Sequence, residues 1–214
     1  MARAFSEIAF TPAVRTTQTA QGSADAYAKL LAPEADRSDR LSDREIDFIT
    51  ARDGFYQATV SETDWPYVQF RGGPSGFFKI LDDRTIAYAD FRGNRQYLSV
   101  GNLVNNDRVS LILMDYPNRR RLKVWGRAKL VDVSDNPVLV AALHVDGYRA
   151  LPERAIIITV EAYDWNCPQH IPQRLSRAEI EPQLSPLREK IALMTAENRD
   201  LKALLGTDRS KRNS

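Results

Sequence analysis

The stretch FFKILDDRTIAYADFRGNRQ, residues 77–96, decides the fold. Phe77 to Leu81 reads as an apolar strand carrying Lys79, Asp82-Asp83-Arg84 as a tight turn, and Thr85 to Ala89 as a second strand. The segment after it predicts a helix over Asn94 to Asn105. Gly93 frees the backbone for a sharp turn, Asn94 is a good N-cap, and Arg95 and Gln96 fall in the first helical turn. A phosphate placed there meets unpaired N–H groups, the positive end of a helix dipole and a guanidinium together. The stretch therefore reads as a β-β-α cradle for a phosphorylated ligand.

Working outward, short runs of β-branched and aromatic residues recur with turn chemistry between them. The predicted strands are Phe55 to Val60, Tyr67 to Arg71, Phe77 to Leu81, Thr85 to Ala89, Val109 to Asp115, Arg121 to Asp132 and Ala155 to Ala162. Turn signals stand at Thr63-Asp64-Trp65-Pro66, Gly72-Gly73-Pro74 and Pro117-Asn118-Arg119. This spacing predicts a mainly β chain with flanking helices, closed or nearly closed into a small antiparallel barrel. A second internal helix is predicted at about Pro137 to Leu143.

The flanks differ in texture. Residues 1–40 are rich in Ala, Thr, Gln, Ser and charge, and read as an arm or lid. Ser42-Asp-Arg-Glu45 is a capping box, with Ile46 and Ile49 behind it, so a short helix is expected over Asp43 to Ala51. The expected organisation is an arm and short helix over residues 1–50, a barrel over 51–170, and a separate C-terminal element over 171–214. In that element Leu184, Leu187, Ile191, Met194, Asn198, Leu201 and Leu205 alternate in steps of 3 and 4. That is a coiled-coil seam with Asn198 at an a-type position; Pro186 sets its expected start, and a disordered basic tail is expected after Gly206. The same stripe would also serve a helix lying on the barrel.

Composition narrows the function. The chain has 214 residues and a net charge of +2, far from the balance of a dedicated nucleic-acid binder. The basic run Arg119-Arg120-Arg121-Leu122-Lys123 reads as a solvated hairpin. No apolar run reaches the roughly 20 residues that cross a bilayer, and the first ten residues lack a secretory core. One cysteine, Cys167, gives no internal disulfide framework, so a cytoplasmic protein is expected, free of membrane and nucleic acid. Cys167 and His170 do not make a metal site, because a structural zinc needs four ligands and the other histidine is the distant His144.

The order strand, lysine, turn, strand, Gly93-Asn94-Arg95-Gln96, helix, then Asn105-Asn-Asp-Arg-Val-Ser-Leu111 resembles the pyridoxamine 5′-phosphate oxidase-like family. The resemblance covers about Phe55 to Val131. It implies a split β-barrel, a homodimer, and FMN in clefts at the subunit interface. By position it implies that Lys79, Asn94, Arg95 and Gln96 hold the FMN phosphate and that Tyr88 and Ala89 pass the flavin by backbone contacts. Phe78 adjoins them as a further cofactor candidate. The family's usual basic residue is replaced by Gln96, and Arg71 is the candidate to compensate. Arg121 falls near a position that approaches the flavin ring, where its charge would stabilise reduced flavin. In the loop Asp164 to His170, Trp165 is expected to wall the flavin and Gln169 or His170 to face substrate. The arginine-rich closing segment of genuine pyridoxamine phosphate oxidases is missing, so the resemblance does not extend to their substrate.

The expected function is an FMN-dependent oxidoreductase acting on a small molecule by hydride transfer at the flavin. The alternatives are a non-catalytic flavin- or haem-binding barrel, for which His144 and His170 are the available axial ligands, and a deazaflavin in place of FMN.

Overall fold

The computed structural model describes residues 3–34, 37, 39–165 and 168–211. One compact unit ends at Ile171 and a second begins at Pro172.

In the first unit seven strands form one antiparallel sheet: β1 (Gly54–Val60), β2 (Pro66–Gly72), β3 (Phe78–Asp82), β4 (Thr85–Phe91), β5 (Arg108–Asp115), β6 (Arg120–Asp132) and β7 (Pro152–Trp165). Their spatial order is β2-β1-β5-β6-β7-β4-β3. All seven predicted strands are present. The sheet curls until its inner faces meet: Phe55 of β1 stacks on Phe78 of β3 at 4.5 Å, and the Tyr88 hydroxyl of β4 donates to Gln57 of β1 at 2.6 Å. Alternation supplies the core, because Phe55, Leu111, Leu113, Leu122, Val124, Ile156 and Ile158 all point inward and are buried. The split of the barrel lies between β2 and the β3–β4 hairpin.

One position requires glycine. The ladder between β6 and β7 shifts register between Trp125 and Gly126, and a Cβ on Gly126 would lie 2.5 Å from the Thr159 carbonyl oxygen.

Helices cover the outer face where it carries small residues. α1 (Arg3–Ala9) lays Ala4 and Phe5 on Ala162, with Phe5 stacked on Trp125 at 4.3 Å. α2 (Pro12–Ala20), α3 (Ala24–Ala28) and a 3-10 turn (Lys29–Leu31) follow, so the polar N-terminal segment is built of short helices. α4 (Asp43–Thr50) starts at the predicted capping box and inserts Phe48 and Ile49 into the core. α6 (Pro137–Leu143) seats Val140 and Leu143 on Ala87, Ala89 and Ala155.

α5 (Leu98–Asn105) corrects the sequence reading. It begins four residues after Asn94, because Arg95 and Tyr97 take left-handed backbone angles (φ 64° and 53°) that a right-handed helix cannot contain. Asn94 does not cap it. Its Oδ1 accepts from the Gln96 N–H, a local turn that competes with helix formation.

The second unit is dominated by α7 (Arg177–Lys211), a continuous helix with Pro182 and Pro186 inside it. It starts well before Pro186 and runs through Gly206, against both expectations. Among the described residues no helix is long and apolar enough to cross a membrane.

Candidate functional site

A cleft opens at the split, between the ends of β2 and β4 and the loop that enters α5. It holds ≈ 720 Å3 of empty space, mouth included, within the range of small-molecule sites. Arg71 and Gln69 of β2, Asp90 of β4, the Gly93–Tyr97 loop and the first turn of α5 form its walls.

Its electrostatics centre on Asp90, a carboxylate only 4% exposed. One oxygen accepts from Arg71 and the other from Arg154 at 2.7 Å. Arg154 also bonds Asp132 at 3.2 Å and lies 3.6 Å from Glu153, which in turn pairs with Arg92 at 3.3 Å. Burial lowers the Arg154 pKa, but the carboxylates of Asp90 and Asp132 outweigh it and hold the guanidinium charged. Counting Arg71, Arg92, Arg95 and Arg154 against Asp90, Asp132 and Glu153 leaves one positive charge uncompensated. Arg95 stands at the exposed rim, where the Tyr97 side chain and, more weakly, Glu153 raise its pKa.

The loop is held to β7 through Tyr97. Arg154 lies over the Tyr97 ring at 5.2 Å, and the Tyr97 hydroxyl donates to Glu153 at 3.2 Å. Each left-handed non-glycine residue costs about 1–2 kcal/mol, so two such residues at a cleft wall show a conformation imposed by its surroundings. With Tyr97 at the N-cap no side chain caps α5, and its first-turn residues Leu98, Ser99 and Val100 line the cleft. Separately, the Nε of Arg71 on β2 is buried and has no hydrogen-bond partner among the described residues. A buried guanidinium N–H without an acceptor is destabilising, and an anionic group in the cleft relieves it.

Of the residues singled out in the sequence, Arg71, Asn94, Arg95 and Gln96 come together here. The others stand elsewhere. The Phe78 ring is wholly buried between Phe55, Phe77 and Tyr88, so it is a core side chain and not a ligand wall. Tyr88 points into the same core, and burial raises its pKa well above the ordinary phenol value. Its backbone lies between Phe78 and Ile156 in the ladders on both sides, whereas Ala89 is past the last β3 pair and neighbours β7 alone. The Ala89 methyl is under α6. Lys79 takes the face of β3 opposite Phe78, beside Ala87 in the ladder.

Trp165 is not at the cleft. Its indole N–H donates to Glu45, its ring meets Phe48 edge-on at 4.7 Å, and Arg44 stacks over it at 4.3 Å. Gln169 and His170 are exposed and outside the cleft, while Asn166 and Cys167 lie outside the described residues. The His144 Nε2 is 3.0 Å from the Ala150 carbonyl oxygen and its ring packs on Phe91, which commits it locally.

Arg121 is on the outer face of the sheet. There Tyr56, Val68 and Phe70 are exposed by 41%, 59% and 58%, an apolar surface on β1 and β2. Alternation puts Ile112, Met114 and Arg121 on the same face, and the Arg121 Nε has no partner among the described residues.

Sequence reasoning missed Asp90, Arg154, Glu153 and Tyr97. Asp90 carried a signal: an acid in the otherwise apolar run Ile86 to Phe91 requires a cationic partner.

The curled seven-stranded sheet, split beside a cationic cleft, defines a split-barrel protein. Residues 42–164 match the family model described as pyridoxamine 5′-phosphate oxidase, and the chain belongs to that family. Solved structures similar to it include HupZ of Group A Streptococcus, 15% identical over 63% of this chain and 100% of that one with a TM-score of 0.44. General stress protein 26 of Bacillus anthracis str. Sterne is 17% identical over 56% and 88%, with a TM-score of 0.43. An FMN-binding protein of Syntrophomonas wolfei subsp. wolfei is 10% identical over 70% and 97%, with a TM-score of 0.44. These likenesses are too distant to carry a function across. No curated protein matches the chain.

Proposed function

We propose that the chain is an FMN-binding flavoprotein, an FMN-dependent oxidoreductase with a small-molecule substrate, and that it works as a cytoplasmic homodimer. The observation that carries this reading is the buried, unpartnered Nε of Arg71 beside the uncapped first turn of α5 in one cleft. That donor set suits a phosphate: a guanidinium fixed in direction by Asp90, a second one at Arg95, and backbone N–H groups at a helix start. Gln96 adds no charge, and Arg71 supplies what it lacks. FMN, once bound, would supply two-electron chemistry at its ring, and the protein would supply placement and electrostatics.

The apolar outer face of β1 and β2 supports the homodimer, because exposed patches of this kind mark contact surfaces. Pairing through that face would carry Arg121 into the interface with its Nε free to donate.

Purified full-length protein, its visible spectrum and an FMN titration test the reading. Bleaching of bound flavin by NADH or NADPH without oxygen, reversed in air, distinguishes an oxidoreductase from a carrier; saturable binding of a deazaflavin but not FMN would change the cofactor.

A further inference from the structure

The seam of α7 is a contact surface with no assigned partner, and it is independent of the cofactor. On the heptad that places Asn198 at a, Ile180, Leu187, Met194 and Leu201 are d residues and Leu184 and Ile191 are a residues. Leu187, Ile191, Met194 and Leu201 are exposed by 57%, 64%, 57% and 59%, on a helix that is otherwise mostly polar. From Leu187 to Leu201 the stripe is about 21 Å long. Both prolines fall off it: Pro182 is at f and Pro186 at c, and both are exposed. The carbonyls that lose their helical donor at these prolines therefore face water, and the seam side of the helix stays continuous.

We propose that α7 pairs with α7 of a second copy of this chain as a parallel, in-register two-stranded coiled coil. Two features of the seam select this occupant. Asn198 interrupts an apolar stripe, and against an unrelated apolar surface its amide would be buried without a partner; against its own copy in parallel register it meets the same amide, which donates and accepts in turn. The flanking charges agree. Glu197 at g faces Lys202 at e of the second copy, and the other g–e pairs, Lys190 with Thr195 and Gln183 with Arg188, carry no like-charge clash. Leu193, exposed by 67%, is at c and outside the seam.

The test is made on the full chain with Cys167→Ser, so that the introduced thiol is the only one. In parallel register the two 198 positions lie within disulfide reach, so Asn198→Cys is expected to form covalent dimers on mild oxidation at least about tenfold faster than Ala196→Cys, at the outer f position. Adding Ile191→Lys to the Asn198→Cys chain is expected to slow that crosslink to the Ala196→Cys rate, since a charge in the seam opposes pairing. Equal rates for Asn198→Cys and Ala196→Cys, or a rate unchanged by Ile191→Lys, would overturn the proposal. FMN binding by the same variants is read separately, so a failed crosslink leaves the flavin reading standing.

Discussion

Asp90 fixes Arg71 in the cleft wall with one carboxylate oxygen and gives the other to Arg154. Arg71 therefore lines the cleft with its direction set, and its Nε–H has no acceptor among the described residues. A ligand that brings an anionic oxygen completes the set without reorganising it, which is how a preformed site avoids part of the ordering cost of binding.

Arg71→Lys separates charge from geometry. Lysine keeps the ion pair with Asp90 and loses the planar fork, so FMN affinity is expected to fall by about tenfold, near 1.4 kcal/mol, with little change in thermal stability. Arg95→Ala, at the rim, is expected to weaken FMN by about 10- to 150-fold through loss of a charge-assisted bond. Isothermal titration with FMN measures both, and unchanged affinity in both variants would remove the cleft from the account.

Asp90→Asn strikes the fold as well as the site. Two part-buried guanidiniums lose their shared counter-charge, and removing one partner of such a network costs about 3–5 kcal/mol. The expected result is a large drop in the urea midpoint; a variant as stable as the parent would show that Asp90 is not the anchor.

Acid sensitivity is expected from the opposite end of the barrel. Burial raises the Glu45 pKa, but the Ser42 hydroxyl and the Trp165 indole outweigh it, leaving the group below its ordinary value. Burial likewise acts on Asp115, where Arg120 and Asn118 prevail and lower it. A carboxyl whose folded pKa is lowered adds stability that is complete above its unfolded value, about 4, and is lost as pH falls through the folded value. Unfolding followed from pH 6 downward should therefore show stability falling below about pH 4, and Glu45→Gln should flatten that fall. An unaltered slope in Glu45→Gln would assign the acid sensitivity elsewhere.

Gly126→Ala tests the ladder shift. Its Cβ meets the Thr159 carbonyl oxygen at 2.5 Å, contact that backbone alone can relieve, so a loss of about 1–3 kcal/mol is expected in chemical denaturation. A neutral substitution would mean that the β6–β7 shift can be repaired locally.

The strands were legible because alternation and turn chemistry act within a few residues; six of the seven predicted strands lie inside observed ones, and the seventh begins at Phe77, one residue before β3. The capping box at Ser42 and Glu45 was legible for the same reason. α1 was not: three buried residues in seven, Ala4, Phe5 and Ser6, give no clear period until Trp125 and Ala162 are known to lie beneath them. Nor was the start of α5, where the Asn94 turn and two left-handed residues override a reasonable N-cap, or that of α7, where two prolines on the outer side leave the helix continuous. In the site, Asn94, Arg95 and Gln96 are contiguous and could be read together. Asp90 and Arg154 are 64 residues apart, joined through the β4–β7 ladder that no local pattern shows.

The most direct measurement is the visible absorption spectrum of the purified full-length protein, before and after titration with FMN. The account predicts a flavin spectrum and saturable binding of one FMN per chain. A colourless protein that binds no FMN at saturating concentration would contradict it.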